Sequence, residues 1–109
     1  MQKEFLKEIT IKLPSDVADT VSIKEIITLL IDKCLNKLEY YKTKCQKFQE
    51  KYGMDFLSFK KKVEQSKKEI FTEWDDLLLW EGYELAYKEW EKKYKELKSV
   101  RYNINIKKV

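Results

Sequence analysis

The sequence predicts a mainly α protein: two long antiparallel helices, a short connecting helix and a small N-terminal strand, assembled as a dimer. Three observations support this. The 109 residues include only two Gly and one Pro, so little interrupts regular structure. Charged residues make up 39% and apolar ones 43%, a balance suited to amphipathic helices. Apolar side chains also recur at steps of three and four over two stretches of roughly 30 residues each. A chain of this length fills one core of the usual size, and residues 1–109 read as a single domain. Within it, residues 1–22 form a strand and turn, 23–99 a helical hairpin, and 100–109 a strand-like or frayed tail.

From Glu8 to Leu13, Ile9, Ile11 and Leu13 alternate with Glu8, Thr10 and Lys12, the period of a half-buried strand. Pro14 stops it, and Ser15 offers an N-cap for a short helical turn through Val17, Ala18 and Val21. Ser22 followed by Glu25 is a capping box. From there Ile23, Ile27, Leu30, Cys34, Leu38, Tyr41, Cys45, Phe48 and Tyr52 trace one seam, which Gly53 ends as a left-handed cap. Asp55 can cap a short helix carrying Phe56, Phe59 and Val63. Ser66 and Glu69 repeat the capping-box spacing and predict the start of the last helix, over about 67–98. Its seam runs through Ile70, Trp74, Leu77, Trp80, Tyr83, Tyr87, Trp90, Tyr94 and Leu97. Gly82 and Ala86 form a small face beside it, where another helix could approach closely. Two seams of this length bury more apolar surface in a four-helix assembly than in one hairpin, and a dimer is the default symmetry. The closing residues alternate Tyr102, Ile104 and Ile106 with polar ones, so they read as a strand able to pair with the first, or as a frayed end.

The chemistry on offer is narrow. There is no His, which removes the usual general base, zinc ligand and pH switch. No glycine-rich phosphate loop or nucleophile elbow is present. Cys34 and Cys45 lie eleven residues apart on one helical seam, about 16 Å at 1.5 Å per residue, so they cannot pair there and read as core thiols. Glu73, Asp76, Glu81 and Glu84 have the spacing of a carboxylate metal site, but without His they read as a solvated acidic face. The chain is therefore expected to be non-enzymatic and to need no cofactor or metal. No membrane-spanning run or signal-peptide core is visible, and reduced thiols suit a cytoplasmic location.

Charge points to macromolecular partners. The net charge is +4, but Arg101 is the only arginine, and arginine is the better bidentate reader of guanine and phosphate. Residues 70–91 hold seven acids against Lys88, whereas residues 92–109 hold seven bases against Glu96. The last helix is thus acidic at its start and basic at its end, as the macrodipole favours, and its acids lie beside tryptophans. Those aromatics either pack inside the monomer or anchor a partner, and both can hold on different faces of one helix. Thr10 and Lys12 would face outward from the first strand, as in a ribbon laid in the major groove, so operator DNA is a second candidate partner.

Several segments together resemble a group of short, helix-rich archaeal and bacterial proteins regarded as antitoxins of small toxin–antitoxin operons. They are the Ile-Thr-Ile-Lys-Leu-Pro opening (Ile9 to Pro14), Leu38 to Cys45, Lys51 to Met54, and Glu73 to Glu84. The likeness spans Ile9 to Leu97. It implies a non-catalytic protein that binds and neutralises a small toxin encoded nearby, often an RNA-cleaving one, and that represses its own operon through its N-terminal region. The implied partner-facing residues are Trp74, Asp75, Asp76, Trp80, Glu81 and Glu84. An acidic face there would mimic RNA phosphates and occlude a basic active site. Ser15 to Ser22 is shorter and more polar than the first helix of a ribbon-helix-helix unit.

Overall fold

A computed structural model describes residues 6–100 and 107–108. The chain is mainly helical, in the order β1 (Lys12–Leu13), α1 (Ser15–Ala18), α2 (Ile23–Tyr52), α3 (Phe56–Gln65), α4 (Phe71–Val100) and β2 (Lys107–Lys108). Its contacts group into two compact units. One comprises residues 36–91; the other draws on both ends of the chain, residues 1–35 and 92–109. No helix among the described residues is long and apolar enough to cross a membrane.

Local chemistry explains most boundaries. The Glu25 N–H donates to Ser22 Oγ (3.1 Å), and the Ser22 hydroxyl donates to the Glu25 carboxylate (3.2 Å), which fixes the start of α2. At the other end Gly53 has φ of 65°, and its N–H donates to the Gln49 carbonyl (2.8 Å). That left-handed conformation is costly for any residue with a Cβ. Two residues later the Asp55 carboxylate accepts from the Ser58 N–H (2.8 Å) and starts α3.

Three expectations require correction. The first strand is only Lys12–Leu13, not residues 8–13, because alternation supplies a face but a strand needs a ladder partner. The partner it has is β2, paired in parallel with Lys12 opposite Lys107 and Leu13 opposite Lys108. Ser15 does not cap α1: Pro14 occupies the cap position and Ser15 is the first helical residue. Ser66 does not open the last helix. It is the C-cap of α3, and its hydroxyl bonds locally, accepting from the Lys68 N–H (3.2 Å) and donating to the Lys68 carbonyl (3.0 Å). Helix α4 starts instead after Ile70, whose carbonyl accepts from the Glu73 and Trp74 N–H groups at 3.0 and 3.1 Å. The tail strand expected over 100–109 falls mostly on residues 101–106 and 109, outside those described; only 107–108 form a strand here.

In the unit of residues 36–91, α2 and α4 run antiparallel. Moving up α2, Lys37 lies over Trp90, Tyr41 meets Tyr83, Phe48 meets Trp80, and Lys51 meets Asp76. Helix α3 closes the cluster, so Phe59, Val63, Leu77 and Trp80 are buried together, with Cys45, Phe48, Tyr52, Met54, Phe56 and Trp74 packed around them. In the other unit, Ala18 and Cys34 are the buried apolar residues among those described.

The two glycines differ in kind, and substitution separates them. Gly82 lies inside α4, with open space where a Cβ would sit. Gly82→Ala is expected to stabilise the protein by about 0.5–1 kcal/mol through helix propensity. Gly53→Ala is expected to destabilise it by about 1–2 kcal/mol through the left-handed penalty. Urea midpoints that moved in the same direction for both would contradict these assignments.

Candidate functional site

Helix α4 has two different faces between Phe71 and Glu91. The inner one centres on Trp80, only 1% exposed. Its ring stacks on Phe48 (centroids 5.7 Å apart, planes at 17°), lies 5.4 Å from Phe59 and meets Phe56 edge-on at 5.5 Å. Tyr52 stacks in turn on Phe59, with centroids 4.0 Å apart. Such contacts add roughly 0.5–1.5 kcal/mol each beyond area burial. The buried indole still needs an acceptor, and Trp80 Nε1 donates to Glu84 Oε1 at 3.2 Å.

Around this aromatic cluster the acids of α4 are matched by groups from α2 and α3. Asp76 accepts hydrogen bonds from the Tyr52 hydroxyl and from Lys51 Nζ, the latter at 2.7 Å. Its side chain is 13% exposed. Burial works to raise its pKa, but the Lys51 and Tyr52 hydrogen bonds and the Lys51 charge outweigh it and hold Asp76 below the usual carboxylate range. The same contact raises Tyr52, through burial first and the Asp76 carboxylate second. Lys62 lies 3.5 Å from Glu73, and Lys60 3.4 Å from Glu81. Cys45 is pushed up to about 12 by burial and by the neighbouring Glu84. It is held as a neutral thiol, the opposite of what a nucleophile or metal ligand requires.

The six residues singled out on this helix therefore divide. Trp80 is core, Trp74 is half-buried against that core, and Asp76, Glu81 and Glu84 are half-buried and bonded within the protein. Asp75 is exposed and lies on the other side of the helix. Thr10 and Lys12 are exposed, but Thr10 lies outside β1 and only Lys12 sits in the two-residue ladder. Among the described residues, no three His, Cys, Asp or Glu side chains gather into a metal-holding group.

Of the outer face, the sequence singles out only Asp75, as partner-facing, and Gly82, as part of a small face open to another helix. Phe71, Leu78 and Leu85 recur every seven residues and are 79%, 67% and 56% exposed, with Leu79 exposed beside them. Asp75, exposed Gly82 and Glu89 fall on the same side, since 3.6 residues per turn places all six within about 40° of one line. The spacing is present in the sequence, but the longer aromatic seam on the opposite side masks it. Next to this face, α3 and α4 leave an open groove of about 510 Å³, where Phe56, Leu57 and Leu85 are the apolar walls and Asp55, Lys60, Glu81, Glu84 and Lys88 the charged ones.

Two measurements check this division. Trp80→Ala is expected to cost about 3–5 kcal/mol, the range for a buried aromatic, whereas Leu78→Ser stays within about 0.5 kcal/mol in the isolated chain. Stability should also follow pH from both ends. The contribution of ionised Asp76 is present above its unfolded pKa of 3.8 and lost as pH falls through its lower folded value. Those of neutral Cys45 and Tyr52 are present below 9.0 and 10.0 and lost as pH rises through their higher folded values. A urea-midpoint profile flat from about pH 5 to 8.5 and falling on both sides is expected, with the acid arm shallower in Asp76→Asn.

Comparison of the chain with models of protein families, with curated proteins and with solved structures gave no match.

Proposed function

We propose that this is a non-catalytic binding protein, an antitoxin-type partner that neutralises a small basic protein encoded nearby by direct contact. The observation that supports this reading best is the double-sided α4. Its inner face satisfies its own core, while its outer face presents large apolar side chains and acids to solvent. A monomer gains nothing from exposing Phe71, Leu78 and Leu85 on one line, whereas an interface gains an apolar centre with charged edges. On this reading Trp80, Trp74, Asp76, Glu81 and Glu84 hold the helix rigid, and Asp75 is the member of that set that touches the partner. Steering by the acidic helix would speed encounter with a basic surface.

Self-association is the second reading, favoured by the exposure of Ile23 and Leu30, seam residues at the start of α2. DNA reading by Thr10 and Lys12 ranks below both, since β1 is only two residues long, leaves Thr10 outside it and has one edge taken by β2.

Co-expression with the product of the adjacent gene, followed by light scattering, tests the proposal. A stable complex of summed mass is expected, and it should suppress the toxicity of that product. A chain that keeps its own mass and leaves toxicity unchanged would sink the antitoxin reading. Steeply salt-dependent DNA binding that is lost on Thr10→Ala and Lys12→Ala would put the operator reading in its place.

A further inference from the structure

The outer face of α4 also indicates what kind of surface covers it. From Phe71 to Glu89 the stripe is about 27 Å long at 1.5 Å per residue, long enough for a helix of roughly five turns lying along it. Its centre is Gly82, exposed and with nothing within 4 Å of the place a Cβ would take. Nothing in the chain's own packing therefore requires a glycine there, yet a close helix–helix crossing would. Leu78 lies one turn before it and Leu85 just under one turn after it. Asp75 and Glu89 lie seven residues to either side of it.

That spacing of charge argues against a second copy of the chain. In an antiparallel twofold pair crossing at Gly82, Asp75 of each helix would lie opposite Glu89 of the other; in a parallel pair each acid would face itself. Both arrangements desolvate like charges across the contact. A helix with apolar residues along one edge and basic residues near both ends meets the same stripe with opposite charges and with space over Gly82.

We infer that the Phe71–Glu89 face of α4 is a docking face for an amphipathic helix of a different protein, apolar along its centre and carrying Lys or Arg two turns to either side of the crossing point. The inference deepens the binding-protein proposal and rests on it: it gives that partner's contact surface a secondary structure and a charge pattern.

The test uses the full chain and two labelled 20-residue helical peptides with the same leucine edge, one flanked by lysines and the other by glutamates, with binding read by fluorescence anisotropy. The lysine peptide is expected to bind at least tenfold more tightly than the glutamate peptide. Asp75→Lys combined with Glu89→Lys should reverse that order, and Leu78→Ser or Gly82→Leu should weaken both peptides at least tenfold. Glu50→Lys, an exposed charge change on α2, should leave the preference intact. Equal binding of the two peptides, or indifference to the stripe substitutions, would overturn the inference. So would a doubled mass of the chain alone that Leu78→Lys returns to monomer, since a second copy would then occupy the stripe. The two proposals fail separately. If the neighbouring gene product binds but ignores every stripe variant, the docking face is wrong and the antitoxin reading stands. If stripe-dependent peptide binding is found and the neighbour does not bind, the docking face stands and the partner lies elsewhere.

Discussion

The unit of residues 36–91 depends on giving one large indole a complete environment. Trp80 is covered by ring faces from α2 and α3, and its single N–H is met by Glu84 one turn further along its own helix. Burying an aromatic of this size is a large single contribution to a small core, and leaving its N–H unpaired would take much of that back. The short connecting helix is therefore not a mere linker. Phe56 and Phe59 form one wall of the tryptophan site, and the Gly53–Asp55 turn sets the angle from which they arrive.

The same requirement explains why acids crowd the inner half of α4. Asp76, Glu81, Glu84 and Glu73 sit at the margin of an apolar cluster, where a carboxylate is tolerated when a donor meets it. Lys51, Tyr52, Lys60, Lys62 and the indole supply those donors. Surface ion pairs of this kind add little to stability individually. Their value here is positional, because they fix the rotation of α4 and so determine which residues are left outside.

How much could be read from residue types alone varied with how local the governing physics is. The Ser22–Glu25 box, the Gly53 cap and the Asp55 cap are decided within a few residues, and each stands where its pattern indicates. The seam through Leu38, Tyr41, Phe48 and Tyr52, with its counterpart through Leu77, Trp80 and Tyr83, follows from helical period and is likewise realised. Ser66 shows the limit: it has the spacing of a cap, yet its hydroxyl bonds to the Lys68 backbone two residues on, and the chain stays non-helical to Ile70. The candidate site was harder still. Residue type alone does not separate Asp75 from Asp76, adjacent acids in one acidic-aromatic stretch; only tertiary packing leaves one a surface charge and gives the other Lys51 and Tyr52 as partners.

The division of the chain into a contiguous unit and a discontinuous one sets an order for its synthesis. Residues 36–91 hold their whole aromatic cluster within one stretch, so that cluster can close while the rest of the chain is still being made. The other unit cannot be completed so early, because the partner of Lys12–Leu13 is Lys107–Lys108, nearly the full length of the chain away. The first strand therefore emerges from the ribosome first and finds its ladder last. In the interval Leu13 is an apolar side chain on an unpaired edge, with Ile9 and Ile11 exposed just ahead of it, the kind of segment that a chaperone or another nascent chain can engage.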